Sequence, residues 1–157
     1  MPAYYDFARD LTSNGTTGTL STHFRFLSVA NQAVGRLVLL CGGCRFATAG
    51  GGILRVVTAG AAGTGGTAQT LQPKRPTFPA AATTLFNDAS AITPGTGPIL
   101  RIVIGLAQTG GMGGYTPAEP DDAVQLMPNG GANGNMEIGS MFNGTAVTFS
   151  ISGDFSE

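Results

Sequence analysis

Short apolar runs recur along this chain, and helical periodicity is hard to find. The runs are rich in β-branched and aromatic residues and are bounded by Gly, Asn and Pro, the punctuation of strands and turns. They predict strands at 20–29 (LSTHFRFLSV), 34–40 (VGRLVLL), 44–48 (CRFAT), 53–59 (ILRVVTA), 99–106 (ILRIVIGL), 123–127 (AVQLM), 136–142 (MEIGSMF) and 145–152 (TAVTFSIS). Eight strands in one chain of this length predict an all-β fold, a jelly-roll-like β-sandwich with long Gly/Ala/Thr/Pro-rich loops. Residues 1–18 read as an N-terminal arm and 19–157 as a single sandwich domain. Only AAATTLFNDASA (80–91) suggests a short helical turn.

The last two strands carry the sharpest local signal. Asn143-Gly144 is a two-residue hairpin turn, because both positions of that turn favour φ > 0. A hairpin there sets Phe142 against Thr145, Ser140 against Val147, Ile138 against Phe149 and Met136 against Ile151, a mostly apolar face. The opposite face, with Met141, Gly139 and Glu137, is then wet or turned to a partner. Five arginines show a second regularity: Arg25, Arg36, Arg45, Arg55 and Arg101 each sit between apolar neighbours, so on a strand each points away from the side chains flanking it. Either their aliphatic stems cover a polar sheet face, or some pair with carboxylates of a neighbouring subunit, for which the planar fork is suited.

Between the strands the composition loosens. In residues 58–84 (TAGAAGTGGTAQTLQPKRPTFPAAATT), 21 of 27 positions are Gly, Ala, Thr or Pro, and only Lys74 and Arg75 are charged. Such long segments inside a compact domain are usually functional or ordered by contact. Small residues let the backbone lie flat on another surface, and Pro73, Pro76 and Pro79 lower the entropy lost on fixing it.

Length and charge narrow the function. A chain of 157 residues with 42% hydrophobic content can bury a core, removing roughly 70% of its unfolded surface from water. Its formal charge of −1, with no long basic run, argues against nucleic-acid binding. LVLLCGGC is too short to cross a membrane, and MPAYYDFARD lacks the basic and apolar regions of a secretory signal. A chain made in the cytoplasm, with no membrane partner, is expected. Seven Arg stand against one Lys and three Glu, beside five Met and twelve Phe or Tyr. Interfaces favour Arg, Met and aromatics and avoid Lys and Glu, so the surface reads as largely committed to partners.

Candidate chemistry is thin. Cys41-Gly-Gly-Cys44 has the spacing of a redox or zinc motif, but His23 is the one further ligand of that kind, and a structural zinc takes four. On an extended strand the two Cα atoms lie about 10 Å apart, too far for a disulfide; a two-residue turn at Gly42-Gly43 brings the thiols together. Both geometries make the cysteines structural. No Ser sits in a G-x-S-x-G context, the Gly-rich run lacks the lysine of a phosphate loop, and Glu119, Asp121 and Asp122 match no calcium loop. The expectation is no enzyme, cofactor or metal.

LRVVTAGAAGTGGTAQTLQPKRPTFPAAATT resembles small structural proteins of tailed bacteriophages. In those, a strand (here Leu54–Ala59) precedes a GTGGTA run (Gly63–Ala68), a basic, proline-bearing stretch (Pro73–Pro79) and an Ala/Thr segment (Ala80–Thr84). The resemblance covers the central third of the chain and is most like the capsid cement (decoration) proteins. It implies a β-sandwich or jelly roll, a homotrimer, and the phage major capsid protein as partner, with the chain on the outer surface of the head. On that reading the arm residues Tyr4, Tyr5 and Phe7 and the loop residues Lys74, Arg75 and Phe78 belong to subunit or shell interfaces. A head-fibre, collar or tail subunit is an alternative, as is a lectin-like carbohydrate-binding sandwich, against which the absence of Trp counts.

Overall fold

The computed structural model describes residues 2–12, 21–29, 32–45, 52–58, 66–87, 99–104, 111–127, 135–142 and 148–157. The chain is all-β, two antiparallel sheets packed face to face. In chain order the strands are β1 (Tyr4–Thr12), β2 (Ser21–Leu27), β3 (Gly35–Arg45), β4 (Gly52–Thr58), β5 (Thr67–Gln69), β6 (Gln72–Pro73), β7 (Thr84–Asn87), β8 (Ile99–Ile104), β9 (Gly111–Tyr115), β10 (Val124–Leu126), β11 (Asn135–Phe142) and β12 (Thr148–Ser156). The first sheet runs β10-β3-β12-β1-β6, with β9 sharing the free side of β3; the second runs β5-β7-β2-β11-β4-β8.

Setting β5–β7 aside, the order has a simple logic. The first half of the chain pairs antiparallel with the second: β1 with β12, β2 with β11, β3 with β9 and β10, and β4 with β8. This long hairpin is rolled so that β12 also reaches β3 and β11 also reaches β4. That winding is a jelly roll. In chain order residues 66–84 fall between β4 and β8.

The same winding overturns the hairpin expected at Asn143-Gly144. Strands β11 and β12 lie in different sheets, so the link between them, residues 143–147, joins sheets; it lies outside the described residues. Each strand has both edges taken, β11 by β2 and β4 and β12 by β1 and β3. Two long ladders outweigh one favourable turn. The expected face of Met136, Ile138 and Ser140 is indeed buried, and Ile138 and Phe149 meet in the core from opposite sheets rather than as cross-strand partners.

Three other expectations change. Residues 4–12 are no arm: β1 is an inner strand whose Tyr5, Phe7 and Leu11 alternate into the core while Asp6, Ala8 and Asp10 face out. The runs at 34–40 and 44–48 are one strand, since β3 passes through Gly42-Gly43 extended, Gly42 opposite Ile151 and Gly43 opposite Ser150. Extended geometry excludes a Cys41–Cys44 bridge, and Cys41 is a free thiol. The turn expected in 80–91 contains β7 instead, paired with β2.

Aromatic rings join the sheets. Phe7 of β1 meets Phe24 and Phe26 of β2 edge-on at 5.2 and 5.1 Å, and Phe26 stacks on Phe155 of β12 at 5.1 Å. Rings at such spacings add about 0.5–1.5 kcal/mol per pair beyond the area they bury. His23 sits edge-on to Phe149, and its Nε2 lies 2.6 Å from Ser140 Oγ.

Candidate functional site

The small-residue segment folds onto the chain's own edge. Its described part lies on the side of the second sheet away from β4, where β5 and β7 extend that sheet beyond β2 and β6 extends the first beyond β1. Leu71 and Leu85 are its anchors in the core, and Phe78 packs partly against it. Polar contacts fasten the rest. Lys74 N donates to Tyr4 O at 2.9 Å, Tyr5 OH donates to Pro79 O at 3.2 Å, and the Glu157 carboxylate accepts from Ala82 N at 2.9 Å and Thr83 N at 2.7 Å.

Lys74 is the electrostatic clamp of this edge. Its Nζ lies 2.6 Å from Asp154 Oδ2 and 3.3 Å from Asp6 Oδ1, tying the loop to β12 and β1. The hydrogen bond to Asp154 raises its pKa above the ordinary lysine value; desolvation pulls the other way, and Asp6 adds to the rise. Tyr5 is also raised, by burial first and then by the charge of Glu157, so its phenol stays a neutral donor.

The structure brings together part of the expected interface set. Tyr4, Lys74, Arg75 and Phe78 share the β1 edge, with the Arg75 guanidinium 5.7 Å from the Phe78 ring centroid. Tyr5 and Phe7 are 1% and 5% exposed, so they belong to the core and not to a surface. Between the sheets at this edge lies a cleft of about 410 Å³, lined by Asp6, Gln69, Thr70, Gln72 and Asn87 over Phe7 and Phe24. A second cleft, of about 320 Å³, lies over the outer side of the first sheet between Tyr4, Arg36, Val38 and the loop Thr116–Glu119. Tyr115 OH holds that loop, donating to Asp122 O at 3.1 Å and accepting from Val124 N at 3.2 Å.

The arginines divide between the two faces. On the second sheet Arg25 lies opposite Glu137 in register and Arg55 opposite Arg101, all on the outer side. Glu137, expected to be wet or partner-facing, is 1% exposed, and the Arg25 guanidinium lies 4.3 Å from the Phe86 ring centroid. The carboxylate opposite Arg25 therefore comes from the same chain. Arg36, on the first sheet, reaches Asp121 at 3.9 Å. The Arg45 side chain lies outside the described residues.

Ser140 and His23 have the spacing of a nucleophile and its base, but Ser140 is 1% and His23 4% exposed. A substrate has no way to reach the hydroxyl, and the contact instead joins β11 to β2 beside their register shift at Ile138/Gly139. Among the described residues no group of three His, Cys, Asp or Glu is placed to hold a metal ion, and no helix is long and apolar enough to cross a membrane. Set against known proteins, the chain matches no family model, no curated protein and no solved structure. Its function is argued from geometry.

Proposed function

We propose that this chain is a structural subunit of a bacteriophage particle, a capsid cement protein that acts as a homotrimer on the outer surface of the head and joins neighbouring capsomers without chemistry. The observation that carries the reading is the loop of residues 72–83. It is fastened at Lys74, Pro79, Ala82 and Thr83, yet Lys74, Arg75, Pro76 and Thr77 are exposed. A loop fixed before it binds loses little entropy on binding. An exposed Arg beside an aromatic ring, with the neighbouring Lys74 and Glu157 already engaged within the chain, has the composition of a contact surface. The jelly-roll winding and the resemblance of residues 54–84 to phage structural proteins support the same reading, although fold alone assigns no function.

The test exposes purified phage heads to heat or low salt with and without the protein. The protein should sediment with the heads and raise the temperature at which they fail. Arg75→Ala should weaken binding about tenfold, as loss of one moderate anchor does. Heads that fail at the same temperature with saturating protein would overturn the reading. The edge cleft favours one second reading, a lectin-like module, because Gln69, Thr70, Gln72 and Asn87 offer amide and hydroxyl groups suited to sugar hydroxyls. Retention on a glycan surface, lost with Gln72→Ala, would favour it.

A further inference from the structure

The two outer faces of the sandwich carry opposite charge. Among the described side chains, Asp6, Asp10 and Asp154 of the first sheet face out, and the loop over its far end adds Glu119 and Asp121, with Lys74 and Arg36 as the cations there. On the second sheet, among the described residues, Arg25, Arg55 and Arg101 lie on the outer side against Glu137, with Arg25 and Glu137 both buried there. Arg25 is set against Glu137, which leaves Arg55 and Arg101 as the surplus; Arg55 is half-buried and Arg101 exposed. Half-buried Ile53 and Met141 stand near them, Leu27 and Phe86 lie farther along the same face, and no lysine lies in any strand of that sheet. Arginine, methionine and apolar side chains without lysine is the make-up of an interface core.

We propose that copies of this chain associate head-to-tail, the Arg55/Arg101 face of one copy against the Asp6/Asp10/Asp154 face of the next. Two arginine faces repel each other, as do two acidic faces, so a two-fold pairing through either face is opposed. One arginine face on one acidic face is the attractive combination, and it is heterologous. Such contacts close into a ring when the rotation permits and run into a filament when it does not. The proposal rests on the self-association in the reading above, and on nothing about the capsid.

The experiment is native mass measurement and sedimentation of the purified chain across salt, with two charge-reversed variants. Between about 0.01 M and about 1 M salt the screening length falls from roughly 30 Å to roughly 3 Å, so the wild-type assembly should dissociate at least tenfold more readily at the upper end. Arg55→Glu/Arg101→Glu, with two acidic faces, should be monomeric. Asp10→Lys/Asp121→Lys, with the first face made basic like the second, should lose assembly in the same way. Mixed together, the two variants should form complexes containing both. A wild-type monomer at low salt, an assembly indifferent to salt, or variants that do not combine would overturn the proposal; the salt series on the wild type decides it even if a variant fails to fold. A monomer that still sediments with phage heads would refute this contact and the homotrimer and leave capsid binding standing, and an oligomer that ignores heads would do the reverse.

Discussion

Gly153→Ala tests the packing of the two sheets with a single methyl group. Gly153 lies mid-strand in β12, opposite Phe7 of β1 and Leu40 of β3. A Cβ there would stand 2.4 Å from Phe7 Cζ, 2.9 Å from Phe7 Cε1 and 2.5 Å from Leu39 O. Carbon atoms at rest are about 3.5–4.0 Å apart, so the ring would have to withdraw by roughly 1 Å. It is held on the far side by Phe24 and Phe26, and Leu39 O belongs to the backbone of β3. Overpacking costs about 1–3 kcal/mol, and contact with backbone puts this site at the upper end. Restricting the unfolded chain returns at most about 1 kcal/mol. A net loss of about 2 kcal/mol, or roughly 4–8 °C in Tm for a chain of this size, is expected in thermal and urea unfolding followed by circular dichroism. Gly114→Ala is the control, since its Cβ would lie 3.4 Å from Leu40 O and 3.7 Å from Cys41 Sγ on edge strand β9. It should change stability by no more than about 0.5 kcal/mol. Equal melting of Gly153→Ala and wild type would refute the close approach of β12 to Phe7.

Ile138→Asp and Phe149→Asp should each abolish folding, because the positions are 0% and 2% exposed in the core and an unpaired buried charge costs several kcal/mol of a total near 5–15 kcal/mol; soluble, cooperatively melting variants would count against the sandwich. Stability should fall as pH rises above about 10, because Lys74 and Tyr5 both have folded pKa values raised above their unfolded ones. Each then binds its proton more tightly when folded, and that contribution is present below the unfolded value and lost as pH passes the folded one. Phe at position 5 should remove part of the loss, and an alkaline limb unchanged in both Tyr5→Phe and Lys74→Met would refute the assignment. Cys41→Ala/Cys44→Ala should fold with a loss of about 1–2 kcal/mol per site, and a chelator should leave Tm unchanged; stoichiometric zinc in the purified protein would contradict a structural role.

Much of the architecture was legible because alternation reports burial directly. Leu54 and Val56 of β4, or Met136 and Ile138 of β11, are apolar at every second position and all are fully buried. Strand β1 carried the same signal in Tyr5, Phe7 and Leu11, broken by Arg9 at the position between Phe7 and Leu11. Strands β5, β6 and β9 had no such signal: their small and polar residues bury little, and ladder hydrogen bonds to neighbouring strands define them. Pairing was hardest to read. Asn143-Gly144 favours a turn over four residues, whereas the partners of β11 and β12 lie up to a hundred residues away or more, beyond the reach of any local pattern. Glu137 was misplaced for the same reason, since only the register with Arg25 explains an acid in a buried strand.

Tyr5 and Phe7 read as surface residues and lie in the core, and the use of the small-residue segment was only partly legible. Composition marked it as a segment ordered by contact, and the contact is with its own sheets. A sheet edge is a row of unpaired N–H and C=O groups that invites another chain to add a strand. At the β1 edge the outermost strand, β6, has two residues, one of them Pro73, which has no N–H to donate; at the β2 edge, β5 has three. Short strands and an edge proline are poor templates for strand addition. Partners arriving from this side therefore meet side chains rather than a free ladder. The loop around Arg75 is exposed at this edge. Small residues in the segment let two edges be covered with little bulk, and the few large or charged ones each have a place: Leu71 and Leu85 in the core, Lys74 on its carboxylates, and Arg75 outward beside Phe78.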